Sequence, residues 1–532
     1  MKEGRTVVQF RWVSLSLRIL TATLFLFYLH PLPSGQAEVP EYTVADEIGD
    51  WGFPTPHRQY ARGPGYVRMS LLFDTLIWKN KAGEIVPALA ETWEYLPGER
   101  AYWFKLNRKA KWHDGTPLTA EDVAFTVSYL KKHPIPWINI QIIEKAVPLN
   151  SHTIKLVLSQ KDASFLTEIA GTFAILPRHI WSRVSDPRTF GGPKALIGSG
   201  PFKLLDYNKA QGSYLYEAHM DYYGGKPLVR RLKFIKIGAE MIAVALKQGS
   251  ADAGLIPPDL TGSMQPAGLK VIRAPYGWSL NLVMNHRELP LNQKAFRQAL
   301  AHAIDRKALV EITQRGHAMK GNPGFVPPDS PWHNPGVQQY EFSLDRAKAL
   351  VQRLGYEIRN GRFFKDGAAV NLQLLSQARF KEVGLFVKDQ LERLGIEVDI
   401  RSLEPKTLDS RVLHWQFQLA LSGHGGLYEP SFLTNRILSE DFNSVRYRQN
   451  ADLTRLLSDQ LQEMDPKKRK QIVLRIQELY AEDLPNLTLY YPNWYWAHNG
   501  RIDIFYTKNG IASGIPLPLN KLALLEQKPG GK

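Results

Sequence analysis

Residues Leu71–Lys132 read LLFDTLIWKNKAGEIVPALAETWEYLPGERAYWFKLNRKAKWHDGTPLTAEDVAFTVSYLKK. The segment AYWFKLN at 101–107 is rich in aromatic residues and reads as a strand. In WHDGTPLTAEDV, Asp114-Gly115 marks a turn, and Thr119 with Asp122 three residues on has the spacing of a helix-opening capping box. The AEDVAFTVSYLKK that follows is then a helix. His113 and Asp114 invite a metal or acid-base reading, but the turn and the cap account for both.

The same mixture of strands and helices continues on either side. TIKLVLS at 153–159 puts Ile154, Leu156 and Leu158 on one face, and LKFIKI at 232–237 alternates at Leu232 and Phe234. Beyond residue 285 helical spacing dominates. Phe296, Ala299, Leu300, Ala303 and Ile304 form one apolar stripe. In SLDRAKALVQRLGY, Ser343 is the expected N-cap, Ala347, Leu350, Val351 and Leu354 face inward, and Gly355 closes the helix. A hairpin-like GRFFKDGAAVNLQLLS, a helix over 381–394 ending at Gly395, and the strand IEVDI at 396–400 make a strand, helix, strand unit. The fold class is therefore α/β, and 532 residues provide for two or three domains.

The N-terminus reads differently. Lys2, Arg5, Arg11 and Arg18 precede an apolar run over 19–29, Pro31 and Pro33 break it, and Gly35-Gln36-Ala37 supplies small residues before Glu38. This is the pattern of a cleavable signal peptide, and the run is too short to span a bilayer. The expectation is a protein that works outside the cytoplasm. The chain has no cysteine, which excludes disulfides, thiolate chemistry and a lipidated cysteine anchor. The formal charge is +16, and removal of residues 1–37 leaves +13. Basic residues are scattered, and export argues against nucleic acid as a partner. Lys467-Lys468-Arg469-Lys470 is the densest basic run, and after Pro466 it reads as the solvated face of a helix.

The sequence contains no HExxH, P-loop, GxSxG elbow or EF-hand loop, so no enzyme, metal or cofactor is expected. Ile197-Gly198-Ser199-Gly200-Pro201-Phe202 lacks elbow spacing and reads as a sharp turn into the strand FKLLDY. Aromatics cluster at 60–66, in Tyr276-Gly277-Trp278, and over 490–496, where neighbouring Gly and Pro suggest loops that either line a pocket or pack between lobes.

SGHGGLYEP at 422–430 places His424 among three glycines, with Glu429 close behind. Glycine-rich loops serve metal sites, catalytic loops and cleft walls alike.

Several blocks in order resemble one family, the extracellular solute-binding proteins of family 5, which includes oligopeptide-, dipeptide- and nickel-binding components of bacterial ABC importers. They are the opening 62-residue stretch with its LFD-L, P-LAE-W and W-DG-P-TA-DV patterns, then GSGPFKL, DYYGGKPLVRRLKF, ALKQGSADAG, FRQALAHAIDRKALV and DRAKALVQRLGY. The resemblance implies a two-lobed periplasmic binding protein fold with an extra subdomain in the first lobe. By that implication residues 38–285 and 498–532 make lobe I, with the subdomain at about 67–196, and residues 286–497 make lobe II. The outward crossing falls in SLNLVMNH at 279–286 and the return in LTLYYPNWYWAHN at 487–499.

The implied function is capture of a solute by a monomeric periplasmic receptor and delivery to an inner-membrane ABC permease. The solute could be a peptide, a chelated metal, or a sugar-like or opine-like molecule. Candidate ligand contacts are Tyr60, Arg62 and Tyr66 on the first lobe, Tyr276, Trp278 and Asn281 around the crossing, and Arg379, His424, Tyr428 and Glu429 on the second. Arg62 or Arg379 could clamp a carboxylate or phosphate, or stand solvated at the rim.

Peptide-binding relatives carry an aspartate for the ligand's ammonium in the loop matching SGHGGLYEP. Here no aspartate precedes Glu429-Pro430, and the loop is closer to the GAPYDP-like loop of nickel-binding members. His424 then either joins a chelated metal or hydrogen-bonds backbone at the cleft wall. A secreted hydrolase or a periplasmic chaperone are the readings outside this class.

Overall fold

The computed structural model describes residues 39–60, 63–441 and 444–526. The segment read as a signal peptide, with its expected cleavage before Glu38, lies outside the described residues. No helix among the described residues is long and apolar enough to cross a membrane.

Among the described residues, two large sheets organise the chain. The first has seven strands in the order Lys270–Arg273, Tyr495–His498, Ala253–Ile256, Val39–Asp46, Val229–Lys236, Ser213–Ala218 and Phe202–Asn208. Val39–Asp46 runs parallel to both of its neighbours, and the other pairs are antiparallel. The second has six strands in the order Ala318–Lys320, Asn486–Pro492, Trp278–Met284, Leu419–Gly425, Asn371–Ser376 and Glu397–Ser402. Here the predicted strand, helix, strand unit appears. Asn371–Ser376 and Glu397–Ser402 are parallel, Leu374 opposite Ile400, joined by the helix Lys381–Leu394, which Gly395 ends at a φ of +107°.

The first core gathers Tyr42, Val44, Leu232 and Phe234 under the seven-stranded sheet, and a second gathers Leu282, Phe296, Leu300, Val351 and Val387 under the six-stranded one. A four-stranded antiparallel sheet, Ala90–Leu96, Ala101–Leu106, Thr153–Leu158 and Ile143–Asn150, packs with the helix Ala120–Lys132 over a third core. The alternation expected in TIKLVLS holds, with Ile154, Leu156 and Leu158 all inward. The architecture is the α/β, two-lobed arrangement with an added sheet in the first half of the chain.

The Asp114-Gly115 turn is locked by His113. Its Nδ1 accepts from the Gly198 N–H at 3.2 Å, and its Nε2 lies 3.0 Å from the Gly200 carbonyl. Burial lowers this imidazole to about 3, so it is a neutral structural group. Gly198 is obligatory there, because a Cβ would stand 1.9 Å from the Leu72 carbonyl oxygen. Thr119 opens the helix as read, its N–H donating to Asp122 Oδ2 at 2.9 Å.

Two expectations need correction. The aromatic clusters are mostly not loops: Tyr490 and Tyr491 are buried in the strand Asn486–Pro492, Trp496 in Tyr495–His498, and Tyr66 in the helix Gly63–Ser70. Pro492 ends a strand rather than signalling a loop around it. Lys467, Lys468 and Lys470 are solvated, but Arg469 turns inward from the helix Pro466–Asp483. Trp278–Met284 lies wholly within the six-stranded sheet, whereas Lys270–Arg273 belongs to the seven-stranded one. Asn486–Pro492 is likewise in the six-stranded sheet and Tyr495–His498 in the seven-stranded one.

Candidate functional site

The loop containing His424 leaves the six-stranded sheet at its crossing strand. Ser422, Gly423 and His424 pair with Asn281, Leu280 and Ser279. Gly423 must be glycine: a Cβ would sit 1.8 Å from the Trp278 indole. Gly426, at a φ of +75°, then turns the chain so closely that a Cβ would stand 3.2 Å from the Ser513 carbonyl of the C-terminal tail. SGHGGLYEP is thus a seam between the two halves. On its other side, Glu429 Oε2 accepts from Thr167 Oγ1 at 3.3 Å, and nearby the Ala163 N–H donates to the Leu461 carbonyl at 2.7 Å.

Polar groups without partners collect at this seam. His424 is 2% exposed, meets Phe325 edge-on at 5.5 Å, and neither ring nitrogen has a hydrogen-bond partner among the described residues. This corrects the backbone-bonded alternative for that histidine. Burial, assisted by the Arg436 charge, lowers its imidazole to about 3, so the ring is neutral at any physiological pH. The buried Tyr428 hydroxyl and Ser431 Oγ likewise have no partner among the described residues, nor does the sealed Oε1 of Glu168. Burial raises the Tyr428 phenol far above its ordinary range.

Charges surround these groups. Glu429 pairs with Arg469 Nη2 at 2.6 Å, and Arg469 also donates to the carbonyl and side chain of Gln460. Lys79, buried, donates to the Ala512 carbonyl at 2.8 Å, and desolvation lowers its pKa. Among the described residues, no group of three or more His, Asp or Glu side chains is arranged to hold a metal ion.

His424, Tyr428 and Glu429 are therefore together, and Tyr276 is beside them. Its neighbour Gly277 is so close to Tyr428 that a Cβ would stand 2.9 Å from the ring, and the Tyr276 N–H donates to Asp329 Oδ2 at 3.0 Å. Trp278 sits at the crossing with Trp494 at 6.0 Å and Phe380 at 6.4 Å, and the exposed Arg379 lies over Phe380 at 4.6 Å. Beside these strands opens a crevice of ≈ 400 Å³ lined by Asp259, Arg315, His317, Glu382 and Trp494 among others. Asn281 is buried and donates to Ser279 Oγ at 3.0 Å. Tyr66 lies in the first core, its hydroxyl donating to the Thr172 carbonyl at 3.1 Å. Tyr60 is 49% exposed. Arg62 lies outside the described residues.

Sequence reasoning missed Lys79, Glu168, Ser431 and Arg469. Two signals were present. Lys79 and Glu168 each interrupt an apolar run, in LIWK and FLTEIA, and Arg469, Val473, Ile476 and Tyr480 share one helical face.

Residues 84–443 match the family model described as bacterial extracellular solute-binding proteins, family 5, middle. The chain is 28% identical over 453 residues to the oligopeptide-binding protein AppA of Bacillus subtilis, covering 80% of this chain and 81% of the relative. Among solved structures, that protein in complex with a nonapeptide superposes at a TM-score of 0.76 with 23% identity, over 92% of this chain and 100% of the other. NikA from Brucella suis in complex with Fe(III)-EDTA superposes at 0.78 with 20% identity, over 90% and 98%.

Proposed function

Because the chain belongs to the bacterial extracellular solute-binding proteins of family 5, we propose that it captures a peptide or similar solute between its lobes and delivers it to an ABC permease of the inner membrane. In this reading it is a periplasmic monomer, released by cleavage of residues 1–37, that carries out no bond chemistry and has no nucleic-acid partner. Lobe I comprises the seven-stranded sheet with the four-stranded subdomain, and lobe II the six-stranded sheet. The oligopeptide-binding relative supports the ligand class.

The observation that carries the reading is the set of buried polar groups at the seam, His424, Tyr428, Ser431 and Glu168, with nitrogens or oxygens that have no partner among the described residues. Each such group costs about 1–3 kcal/mol in the closed form unless a partner arrives. A solute that supplies the partners favours closure by that differential, which is a population shift.

A second reading, capture of a chelated metal, draws support from the neutral, unpartnered His424 ring. The ion would arrive already chelated, since the described residues form no cage of their own. Mass spectrometry of the solute that co-purifies, with a metal assay on the same sample, separates the two. A peptide without metal supports the first, a stoichiometric metal chelate replaces it with the second, and a solute-free protein that fails to close in small-angle scattering on addition of peptides overturns the capture of peptides.

A further inference from the structure

The strand Trp278–Met284 starts at the seam and ends about 20 Å away, at the opposite end of the six-stranded sheet. There the chain builds a surface that solute capture does not use. Asn285 Nδ2 donates to the Phe417 carbonyl at 2.8 Å, which holds the turn after the strand against the segment 413–417. Arg287 from that turn and Arg446 from the segment after the helix Ser431–Leu438 both stand over the Trp415 indole, at 3.9 and 4.0 Å from its ring centroid. Two guanidiniums at that distance must take opposite faces of the ring. They differ in what else they touch. Arg446 is buried, and its two Nη atoms donate to the Val412 and Leu413 carbonyls, each at 2.6 Å, at the end of the helix Pro405–Leu413. Arg287 is exposed, and its guanidinium has the indole face but no hydrogen-bond or ion-pair partner among the described residues. Burial, and then the Arg287 charge, lowers the pKa of Arg446, so the two cations repel across the ring. The Glu440 and Asp441 charges act the other way, but Glu440 is paired with Arg448 at 3.0 Å. Beside these cations the surface is apolar. Leu289 is 65% exposed and Leu413 38%, each two residues from a member of the stack.

We propose that this end of the protein docks on an anionic phospholipid surface, with Leu289 and Leu413 entering the headgroup region and Arg287 holding a lipid phosphate. An indole against its flat face leaves the in-plane N–H donors of Arg287 free, and their fork matches two oxygens of a phosphate. A phosphate there also offsets the repulsion between Arg287 and Arg446. Tryptophan, arginine and exposed leucine together favour the boundary between water and hydrocarbon, where ring and alkyl groups leave water while the charges keep theirs. Residues 38–532 carry a formal charge of +13, so the whole molecule is drawn to an anionic surface and the tip decides how it lands. The contact does not involve the seam, which lies at the other end of the strand.

Co-sedimentation of purified residues 38–532 with vesicles tests this, using phosphatidylglycerol and phosphatidylcholine in equal parts or phosphatidylcholine alone. The chain should bind the mixed vesicles, release them at high salt, and ignore phosphatidylcholine. R287E and L289D should each weaken binding to the mixed vesicles by about tenfold or more. K109E makes the same change of charge at an exposed lysine in the turn after the strand Ala101–Leu106, and should weaken it by less than about threefold. Because the chain has no cysteine, L289C accepts a single environment-sensitive dye. Its emission should shift to the blue on the mixed vesicles, while the same dye on K109C should not shift. Leu289 is an exposed side chain, so L289D and the dye keep the test decisive where circular dichroism shows that R287E disturbs the fold around Trp415. Failure to bind the mixed vesicles, equal binding to phosphatidylcholine alone, equal losses in R287E and K109E, or an unshifted dye at position 289 on bound protein overturns the proposal.

Discussion

His424 stays uncharged from neutral pH down to about 3, and that has a thermodynamic sign. Its folded pKa is depressed below the ordinary 6.5, so its neutral burial contributes stability that is complete above 6.5 and lost as pH falls through the window to about 3. His113 and His286, lowered to about 3 and about 4, act in the same direction. Urea titrations between pH 7 and 4 should show falling stability, with a shallower slope for His424→Phe than for wild type. The same variant removes two polar atoms facing the proposed ligand, and its affinity, read by calorimetry with the co-purifying solute, should fall about tenfold or more. Arg469 gives a complementary case. In Arg469→Met, Glu429 remains buried without its cation, a loss of about 3–5 kcal/mol by chemical denaturation. The double variant Arg469→Met with Glu429→Gln should recover much of it.

At the level of strands and helices, Gly423 fixes how the crossing strand meets its neighbour. Gly423→Ala forces methyl and indole into the same space and should cost about 1–3 kcal/mol by thermal or chemical unfolding, with part regained when Trp278 is shortened to Leu. Periodicity made most such elements legible beforehand: the helix Leu344–Arg353 with its Ser343 cap, the parallel unit around Lys381–Leu394, and the alternation in Thr153–Leu158 all follow from local spacing. The site was less legible because its residues meet through contacts between segments far apart in sequence. Thr167 and Glu429 are 262 positions apart, and nothing local to SFLTEIAG marks Glu168 as facing an opposing wall. Tyr490 and Tyr491 misled for the opposite reason. Pro492 and Asn493 look like loop residues, yet Pro492 only terminates a central strand whose donors precede it.

For the molecule as a whole, magnitudes decide which contacts govern closure. Asp259 pairs with Arg315 and His317 across the crevice, but these side chains are partly to largely solvent-exposed, and such pairs are worth about 0–1 kcal/mol. Asp259→Asn should therefore change solute affinity by less than about fivefold. The solute itself should dominate: at a hundredfold excess over Kd, binding adds about 2.7 kcal/mol to stability, visible as a higher Tm together with a smaller radius of gyration. The seven-stranded sheet carries one more consequence, set by the order in which the chain is delivered. Its strand Tyr495–His498 lies between Ala253–Ile256 and Lys270–Arg273, so the sheet formed from the earliest part of the chain is incomplete until nearly the last residues arrive. A polypeptide threaded through a membrane from its N-terminus would hold that sheet open throughout passage and complete it only at the far side.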